Sequence, residues 1–365
     1  MPDNVPVWED ADRPSYPVLV GEVSTEVCVI GLGGSGLTAL QELRDRGLSA
    51  VGVDAGVIAG GAAGRNGGFL LAGLAPAYHR VVAQLGRDEA ARLYRLTLTE
   101  LDRIAGQAPD AVRRKGSLRI EDDAEGLADC ARQRDALHAD GFAALDYDGP
   151  EGRGLLLPDD GVMQPVHRAL SLAEGRTVYE RSPVTTIDNG LVETAHGVVH
   201  AGAVLVTVDG GLDALLPELR GRVRTVRLQM LATAPTDEVS LSRPVYVRDG
   251  YDYWQQLPNG RIAMGGCRDV GGDQEETSDA QPTSLVQQAI ERLLRDRLGV
   301  RAEVTHRWAA RVGYTDSGLP YVGEVRPGVW AAGGYCGTGN VIGAICGRSL
   351  VQAALGEQPD WPYFG

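Results

Sequence analysis

The chain has 365 residues, 43% of them hydrophobic, which is enough for one large or two intermediate domains with a sizeable core. Its 49 acidic residues outnumber the 35 basic ones, and the formal net charge of −14 argues against nucleic acid or an anionic membrane surface as a partner. The sequence contains no run of 18 apolar residues, no repeat period and no low-complexity stretch, so neither a transmembrane helix nor a solenoid is predicted.

The first 22 residues are acidic and proline-containing and lack the apolar segment of a signal peptide, so we expect a cytoplasmic protein. The five cysteines are scattered, odd in number and never in a CxxC pair, which indicates reduced thiols and no metal site. Lys115 is the only lysine of the chain, so any Schiff-base chemistry would depend on this residue.

Residues 26–54 have the pattern of a strand, a glycine turn, a helix and a second strand. The turn 31–36, Gly-Leu-Gly-Gly-Ser-Gly, follows the β-branched run 26–30 without a gap and precedes a segment, 37–46, with leucines at helical spacing. Asp54 ends the second strand, 23 positions after the first glycine of the turn. This spacing is typical of the dinucleotide-binding βαβ unit.

Each residue type in this unit suits a dinucleotide. Gly31 permits a tight turn, Gly33 lets the backbone approach a pyrophosphate, and Gly36 allows the helix to pack closely on the strand. The phosphates would lie at the helix N-terminus, where unpaired N–H groups and the helix dipole attract an anion without a basic side chain. Asp54 would accept hydrogen bonds from the ribose hydroxyls. The alternative is a glycine turn that binds nothing.

A second glycine-rich segment, residues 59–68 (Ala-Gly-Gly-Ala-Ala-Gly-Arg-Asn-Gly-Gly), starts soon after this acid. Here the chain resembles the D-amino-acid oxidase superfamily of FAD enzymes, in which a Gly-Ala-Ser-Gly-Arg-Asn-Gly-Gly type of loop runs beside the flavin. Two residues depart from that pattern, since Ala63 replaces the serine and Asp54 replaces a more usual glutamate. The resemblance implies that the cofactor is FAD.

The middle of the chain alternates helical and strand patterns. The predicted helices cover residues 81–85, 89–104, 122–139 and 167–173, the last of which resembles the short crossover helix of the family. The predicted strands cover residues 117–120, 177–179, 184–187, 191–194, 198–200 and 204–208. The resemblance implies that the backbone of Val184 contacts adenine and that the turn from Thr207 to Gly210 closes over the nucleotide.

Residues 225–266 change to a period of two, which predicts an antiparallel sheet with strands at 226–234, 245–248, 251–257 and 261–265. In the third strand, Tyr251 and Tyr253 lie on one face and Trp254 lies on the other. The resemblance implies that this strand forms a wall of the substrate pocket. The alternative is that its aromatic residues fill a core between the sheet and an amphipathic helix over 284–298.

Residues 304–323, with Trp308, resemble the Trp-Ala-Gly…Asp-Gly-Leu-Pro-Tyr-Ile-Gly stretch of the family. In the glycine oxidase and D-amino-acid oxidase branches, an arginine four positions after this tryptophan pairs with the substrate carboxylate. This chain has Val312 there and Arg311 one position earlier. A carboxylate beside a valine would lack a partner, so we expect an amine without an obligatory α-carboxylate. The alternative is a local bulge that brings Arg311 into place.

The same position carries the flavin-linking cysteine in the sarcosine oxidase branch, so Val312 implies that FAD is bound non-covalently. A glycine-rich loop at 333–340 precedes a predicted helix over 341–355, whose N-terminus would stabilise negative charge on the flavin pyrimidine edge. The N-terminal segment with Trp8, Pro14 and residues 16–21 (Tyr-Pro-Val-Leu-Val-Gly), together with the loop at 64–68, also resembles the γ-glutamylputrescine oxidase branch, which acts on amines.

These patterns predict an α/β protein, α+β overall, with a Rossmann-like FAD-binding domain that is discontinuous in sequence and a substrate domain with an antiparallel sheet. We expect the FAD-binding domain at residues 1–80, 155–220 and 304–365, and the substrate domain at residues 81–154 and 221–303. The candidate catalytic residues are Tyr251, Tyr253, Trp254 and Arg311. The candidate cofactor-binding residues are Gly31, Gly33, Gly34, Ser35, Gly36, Asp54, Ala55, Ala63, Arg65, Asn66, Gly67, Gly68, Val184, Thr207, Gly210, Gly334, Gly337, Thr338, Gly339 and Asn340.

The resemblance implies an enzyme that oxidises a C–N bond of a small amine by hydride transfer to flavin N5, with oxygen as the acceptor, giving peroxide and an imine. The expected partners are therefore a small amine and oxygen, with neither nucleic acid nor a membrane. Three different functions remain open. They are an amino-acid oxidase that uses Arg311 as the carboxylate anchor, a flavin dehydrogenase with another acceptor, and a non-catalytic flavin-binding protein.

Overall fold

The computed structural model describes residues 4–10 and 13–362. The chain divides into two compact units. The first unit contains residues 4–9, 66–164 and 227–310, and the second contains residues 10, 13–65, 165–226 and 311–362. The bounds of these units differ from the predicted domain boundaries. Residues 4–9, 66–80, 155–164 and 304–310 group with the first unit, and residues 221–226 group with the second. Which unit binds FAD and which binds substrate stays a prediction.

The helices and strands have the following bounds. The helices are α1 (Gly34–Asp45), α2 (Tyr78–Leu85), α3 (Arg87–Gln107), α4 (Ala124–Ala139), α5 (Pro165–Ala173), α6 (Leu212–Leu215), α7 (Arg268–Gly271), α8 (Ser284–Leu298) and α9 (Ile342–Ala354). The strands are β1 (Gly21–Ile30), β2 (Ala50–Val53), β3 (Phe69–Leu70), β4 (Val112–Arg114), β5 (Ser117–Glu121), β6 (Leu145–Gly149), β7 (Gly152–Leu157), β8 (Gly161–Met163), β9 (Val178–Tyr179), β10 (Val184–Asp188), β11 (Leu191–Thr194), β12 (Gly197–Val206), β13 (Arg224–Thr233), β14 (Val245–Val247), β15 (Asp252–Gln256), β16 (Ile262–Gly265), β17 (Val304–Tyr314), β18 (Tyr321–Arg326) and β19 (Val329–Gly333).

The second unit is built on an eight-stranded sheet with the order β10-β11-β12-β1-β2-β9, to which β19 and β18 are added beside β12. Strand β1 is parallel to both β12 and β2, as a βαβ unit requires. Strand β19 is parallel to the C-terminal half of β12, and β11 is antiparallel to its N-terminal half. Buried aliphatic side chains of these strands form one core cluster, so the predicted Rossmann-like parallel arrangement is confirmed.

Strand β12 corrects one prediction. The sequence predicted two strands, 198–200 and 204–208, whereas the structure has a single ten-residue strand. The small residues in its middle do not interrupt pairing with β1, since Ala201 pairs with Thr25 and Ala203 pairs with Val27. A Cβ atom on Gly202 would lie 3.0 Å from the carbonyl oxygen of Glu26, so the glycine permits close approach of the two strands.

The first unit contains an eight-stranded sheet with the order β17-β13-β16-β15-β14-β5-β7-β6. The predicted antiparallel pairing is confirmed for β13 with β16 and for β14, β15 and β16. The sheet also includes β5, β6 and β7, and its β14–β5 pair is parallel. This extension was not predicted, because β5 and β14 are separated by more than 120 residues and no local pattern identifies them as neighbours.

Helix α8 covers one face of this sheet, where Trp254, Met264 and Ile290 belong to one buried cluster. A three-stranded sheet, β3-β8-β4, completes the strands of the first unit. Within residues 4–10 and 13–362, no helix combines the length and the apolar character needed to cross a membrane.

Candidate active site

The glycine turn between β1 and α1 is closely packed at its two ends. Gly31 has a φ of +96°, and its N–H donates to the carbonyl oxygen of Val53 at 2.9 Å. A Cβ atom on Gly36 would overlap the Gly31 carbonyl oxygen and lie 2.6 Å from the Thr207 hydroxyl. That hydroxyl donates to the Gly31 carbonyl oxygen at 3.0 Å. The structure therefore brings Gly31, Gly36 and Thr207 together, and only glycine fits at position 36.

The centre of the turn is open by contrast. Gly33 and Gly34 are partly exposed, whereas the other residues of the turn are buried. A Cβ atom on Gly33 would have only the Ala63 side chain within 4 Å, at 3.3 Å. Gly33 is the N-cap of α1, and neither a capping side chain nor an acidic residue in the first turn serves the N–H groups of this described helix. Free N–H groups around open space suit a phosphate anion.

Arg168 is a charged residue near this turn that sequence reasoning missed. It lies on α5, is only 2% exposed, and places its Nη1 atom 3.3 Å from where a Cβ atom on Gly34 would be. The glycine turn itself contains no basic side chain, and α5, which is distant in sequence, places a positive charge beside it. The available sequence signal was an arginine at helical spacing from the apolar residue Leu172, on the face of α5 that the structure buries.

Asp54 connects the turn after β1 with the loop after β2. Its Oδ2 atom accepts the N–H of Leu32 at 2.7 Å, and its Oδ1 atom accepts the N–H of Gly56 at 2.8 Å. Burial raises the pKa of Asp54, and these two hydrogen bonds oppose that rise. The charge of Arg311 also lowers this pKa. Each carboxylate oxygen can accept a second hydrogen bond, so Asp54 fits a pair of ribose hydroxyls.

The segment that leads into β10 adjoins the loop after Asp54. The N–H of Ser182 donates to the Asp54 carbonyl oxygen at 2.8 Å, and the buried Glu180 accepts the N–H of Ile58 at 2.9 Å. Val184 begins β10 two residues later and is partly buried. Ala55 is exposed beside Asp54. The predicted adenosine contacts therefore lie on neighbouring segments, and Glu180 is an additional acid that the sequence did not single out.

The loop before α9 packs against α1. Tyr335 is buried and donates its hydroxyl to the hydroxyl of Ser35 at 2.9 Å. The Tyr335 carbonyl oxygen accepts both the N–H and the hydroxyl of Thr338, at 2.9 and 2.7 Å. Gly337, Gly339 and Asn340 complete the loop and are all at least partly exposed. Helix α9 starts at Ile342 with neither a capping side chain nor an acid in the first turn, so this described helix end also suits negative charge.

Asp209 joins this loop to the end of β17. Its Oδ2 atom accepts the N–H of Gly313 at 3.0 Å, and its Oδ1 atom accepts the N–H of Gly334 at 2.9 Å. Burial raises the pKa of Asp209 to about 6 in spite of these amide donors. Gly210 follows, and a Cβ atom on it would lie 3.2 Å from the backbone of Val312.

The glycine-rich loop of residues 59–68 divides between the units. In the second unit Ala63 belongs to the short 3-10 turn Ala62–Gly64, which Arg65 ends. In the first unit Asn66 caps the backbone, because its Oδ1 atom accepts the N–H of Gly68 at 2.7 Å. The indole N–H of Trp8 donates to the Asn66 carbonyl oxygen at 2.8 Å.

Strand β15 faces this part of the loop. Gln255 donates its side-chain amide to the Gly67 carbonyl oxygen at 2.5 Å. A Cβ atom on Gly67 would lie 3.0 Å from the ring of Tyr253, and one on Gly68 would lie 3.0 Å from the Gln255 amide. Gly67 and Gly68 are therefore needed for packing within the first unit, apart from any contact with a cofactor.

The three aromatic residues predicted at the substrate site are not brought together. Tyr253 packs on Gly67 and Phe69, with ring centroids of Tyr253 and Phe69 5.8 Å apart. Trp254 is 1% exposed and lies in the core under α8, as the alternative interpretation expected. Tyr251 is 42% exposed, and guanidinium groups of two arginines lie 5.7 and 5.2 Å from its ring centroid. Because side chains alternate along β15, Trp254 lies on the opposite face from Tyr253. Tyr251 lies just before the first residue of this strand.

Strand β17 carries the remaining predicted site residue. Val312 is 8% exposed, whereas Arg311 is exposed.

In the part of the chain that the structure describes, no group of three or more His, Cys, Asp or Glu side chains is arranged to hold a metal ion. The backbone N–H donors, the open glycine turn and the carboxylate of Asp54 together fit a dinucleotide.

Comparison with known proteins agrees with this fit. The model of the DAO family, FAD dependent oxidoreductase, matches residues 26–353. The chain is 26% identical over 390 residues to a probable oxidoreductase OrdL of Rhizobium meliloti (strain 1021), covering 97% of this chain and 89% of the relative. It is 25% identical over 379 residues to gamma-glutamylputrescine oxidoreductase of Escherichia coli (strain K12), covering 94% and 86%.

Solved structures share the fold. L-proline dehydrogenase from P. horikoshii matches with a TM-score of 0.77 at 16% identity, over 92% of this chain and 95% of that chain. Glycine oxidase from Geobacillus kaustophilus matches with a TM-score of 0.74 at 18% identity, over 92% and 96%. Because the family model covers most of the chain and the residues fit its cofactor, this protein belongs to the DAO family of FAD-dependent oxidoreductases, and the predicted family, fold class and enzyme class are confirmed.

Proposed function

We propose that the chain oxidises the C–N bond of a small amine that has no obligatory α-carboxylate, with oxygen as the electron acceptor and with FAD bound non-covalently. When bound, FAD would supply the redox chemistry, which is hydride transfer from the carbon that bears the amine followed by reoxidation by oxygen, with peroxide and an imine as the products. The chain's own residues bind and orient the cofactor and the free-base amine and exclude water.

The observation that carries this proposal is the position of Val312. It lies on β17 four residues after Trp308, where the glycine oxidase and D-amino-acid oxidase branches have the carboxylate-binding arginine, and it is largely buried. A carboxylate held against an apolar side chain without a donor would lose several kcal/mol of solvation. An amine without this group avoids that loss.

The surroundings of Arg311 also favour a substrate without an α-carboxylate. It is exposed, and its charge lowers the pKa of Asp54, which is a predicted nucleotide contact. A guanidinium near Asp54 is better suited to the cofactor than to the carboxylate of a substrate. Tyr253 remains a candidate surface for an alkyl amine, through apolar and cation–π contact, because its ring lies against the flavin loop residue Gly67.

The cysteines support non-covalent binding. Four of the five are buried, and Cys336 is only partly exposed. The Cys336 thiol donates to the Gly334 carbonyl oxygen at 3.3 Å, and its sulfur accepts the N–H of Thr315 at 3.4 Å. Burial raises the pKa of Cys336, which keeps this thiol protonated and unreactive. Acid precipitation is expected to leave the yellow colour in the supernatant, and a yellow pellet would contradict non-covalent binding.

The names of similar proteins divide between amines and amino acids. The Escherichia coli relative is named for an amine substrate, and it aligns with most of this chain. The structural neighbours are named for proline and glycine but share less than 20% identity. We give more weight to the relative with the higher sequence identity.

The test is a peroxide assay over a panel of amines, each paired with its α-carboxylated counterpart. We expect higher kcat/KM for the decarboxylated member of each pair. The matched variants are Arg311→Ala, expected to keep this preference, and Val312→Arg, expected to shift it toward the amino acids. If the wild type prefers glycine, sarcosine or a D-amino acid and Arg311→Ala removes that preference, Arg311 is the carboxylate anchor and the proposal is wrong.

Two further outcomes of these assays would show that the protein is not an oxidase. Flavin that an amine bleaches without peroxide release would indicate a dehydrogenase with another acceptor. Flavin that no amine bleaches under anaerobic conditions would indicate a non-catalytic flavin-binding protein.

A further inference from the structure

We propose that Asp209 is a positioning residue that fixes the end of β17 and the loop before α9 relative to each other, and thereby sets the geometry of the bound flavin ring. The inference rests on the proposed function, because that function assigns these two segments to the flavin and the substrate. Sequence reasoning did not single out Asp209.

The hydrogen bonds of Asp209 connect segments that are distant in sequence. Asp209 lies shortly after the end of β12 and has a left-handed φ of +58°. Its carboxylate accepts from Gly313, 104 residues later, and from Gly334, 125 residues later. A third N–H, that of Tyr335, donates to Oδ1 at 3.2 Å. Hydrogen bonds to an ionised acceptor are about twice as strong as neutral ones.

The surrounding backbone is shaped for this side chain. A Cβ atom on Gly313 would lie 2.6 Å from Asp209 Oδ1, and one on Gly333 would lie 3.0 Å from the Asp209 Cα atom. Glycine at both positions lets two backbone segments close on one carboxylate. An asparagine would replace one acceptor oxygen with an NH2 donor that faces an N–H group, so it cannot reproduce the arrangement.

Both segments lead to residues of the candidate site. Val312 precedes Gly313 directly, and Tyr335 follows Gly334 and donates its hydroxyl to Ser35 in the first turn of α1. A shift of the Asp209 carboxylate would therefore move the valine at the predicted substrate position and the loop that contacts the phosphate-binding helix.

Among the titratable groups around this carboxylate, which are Asp209 itself, Tyr335, Cys336 and Cys346, only Asp209 changes charge near neutral pH. Burial raises its pKa to about 6, while burial raises the pKa values of Tyr335, Cys336 and Cys346 and keeps them neutral below pH 7.5. Arg224 is the basic residue whose charge acts on Cys336. Protonation below pH 6 turns one carboxyl oxygen into a hydroxyl donor and removes its negative charge, which weakens it as an acceptor for the backbone N–H groups.

The test compares Asp209→Asn and Asp209→Ala with the control Asp160→Asn. Asp160 is a buried acid of the first unit that accepts from the Ser117 hydroxyl at 2.6 Å and the Ala72 N–H at 2.7 Å, and burial raises its pKa to about 7. The measurements are the FAD Kd of the apoprotein, from flavin fluorescence, and the visible circular dichroism of the bound flavin from pH 5 to 7.5.

We expect both Asp209 variants to raise the FAD Kd at least about tenfold and to change the flavin dichroism, with no rescue by asparagine. The wild type and Asp160→Asn should show a change in dichroism between pH 7.5 and 5 that the Asp209 variants lack. Unchanged Kd and dichroism in Asp209→Asn, or an equal effect in Asp160→Asn, overturns the proposal.

If far-UV dichroism shows that the Asp209 variants do not fold, the proposal is tested on the wild type and Asp160→Asn alone. A flavin dichroism spectrum of these two proteins that is constant from pH 5 to 7.5 then overturns the proposal. A wild type that binds FAD and oxidises no amine contradicts the proposed function alone. A wild type that binds no FAD contradicts both.

Discussion

The N-termini of α1 and α9 in the second unit differ from that of α4 in the first. Asp123 caps α4 by accepting the N–H of Gly126 at 2.7 Å, and Glu125 adds a second negative charge in the first turn. In the part of the chain that the structure describes, α1 and α9 have neither a capping side chain nor an acid in the first turn. Acids thus stand at the N-terminus of α4 and are absent from the two helix ends predicted to contact FAD, although the described helices α2 and α8 of the first unit also begin with neither a capping side chain nor an acid in the first turn.

The strongest test of this contrast fills the open space before α1. Gly33→Val is expected to weaken FAD binding at least about 100-fold, because a side chain there would meet Ala63 and occupy the space of the pyrophosphate. Flavin fluorescence titration of the apoprotein measures the loss. The control is Gly106→Val in α3, where a Cβ atom has no neighbour within 4 Å. Equal flavin retention in Gly33→Val and wild type would contradict the assignment of the turn.

Removing the Asp54 carboxylate should weaken FAD binding less than Gly33→Val does. Asp54→Ala removes a charged acceptor, together with its hydrogen bonds to Leu32 and Gly56, and such a change costs about 1.5–3 kcal/mol. We therefore expect an FAD Kd raised about 10- to 150-fold, measured by the same titration. A larger effect than that of Gly33→Val would show that the carboxylate, and not the open turn, dominates binding.

An acid added beside the N-terminus of α9 should give that helix end the negative charge that the N-terminus of α4 has. Asn340→Asp places a negative charge beside the start of α9, where it is expected to stabilise the apoprotein by about 0.3–1 kcal/mol and to lower FAD affinity by a similar amount. Thermal unfolding without FAD and fluorescence titration with FAD measure the two effects. Asn340→Ser is the uncharged control. If Asn340→Asp tightens FAD binding, α9 does not serve negative charge on the cofactor.

Removing the cap of α4 should affect stability alone. Asp123→Ala is expected to lower the free energy of unfolding by about 1 kcal/mol, because the N–H of Gly126 loses its acceptor, and to leave the FAD Kd unchanged. Urea unfolding measures the first quantity and fluorescence titration the second. Asp123→Asn, which keeps an acceptor, should retain most of the stability. A changed Kd would remove the distinction between the two kinds of helix end.

The two helix ends also show which parts of the site were predictable. The sequence predicted α1 and the strands around it because the glycine spacing, the helical leucines and the terminal acid lie within 30 residues. It predicted α2 and α3 on either side of Gly86 and the amphipathic α8 at its observed bounds, Ser284–Leu298. Local propensity and periodicity are sufficient for such elements.

Local patterns were not sufficient where the deciding contact is distant in sequence. The parallel β14–β5 pair joins Val245 to Leu118, and the single strand β12 depends on continuous pairing with β1. The aromatic residues of β15 also separate, since Trp254 enters a core that α8 completes. Alternation predicts that residues lie on opposite faces, but not which face a helix covers.

The sequence by itself thus determined the family and the βαβ unit and predicted the residues that would contact a dinucleotide, because each depends on residues that are close in the chain. Only the tertiary structure decided that Arg168 lies beside Gly34 and that Asp209 holds Gly313 and Gly334. The physical reason is that a buried charge takes its partners from whichever segments fold against it, and a one-dimensional pattern records the residue type but not the partners.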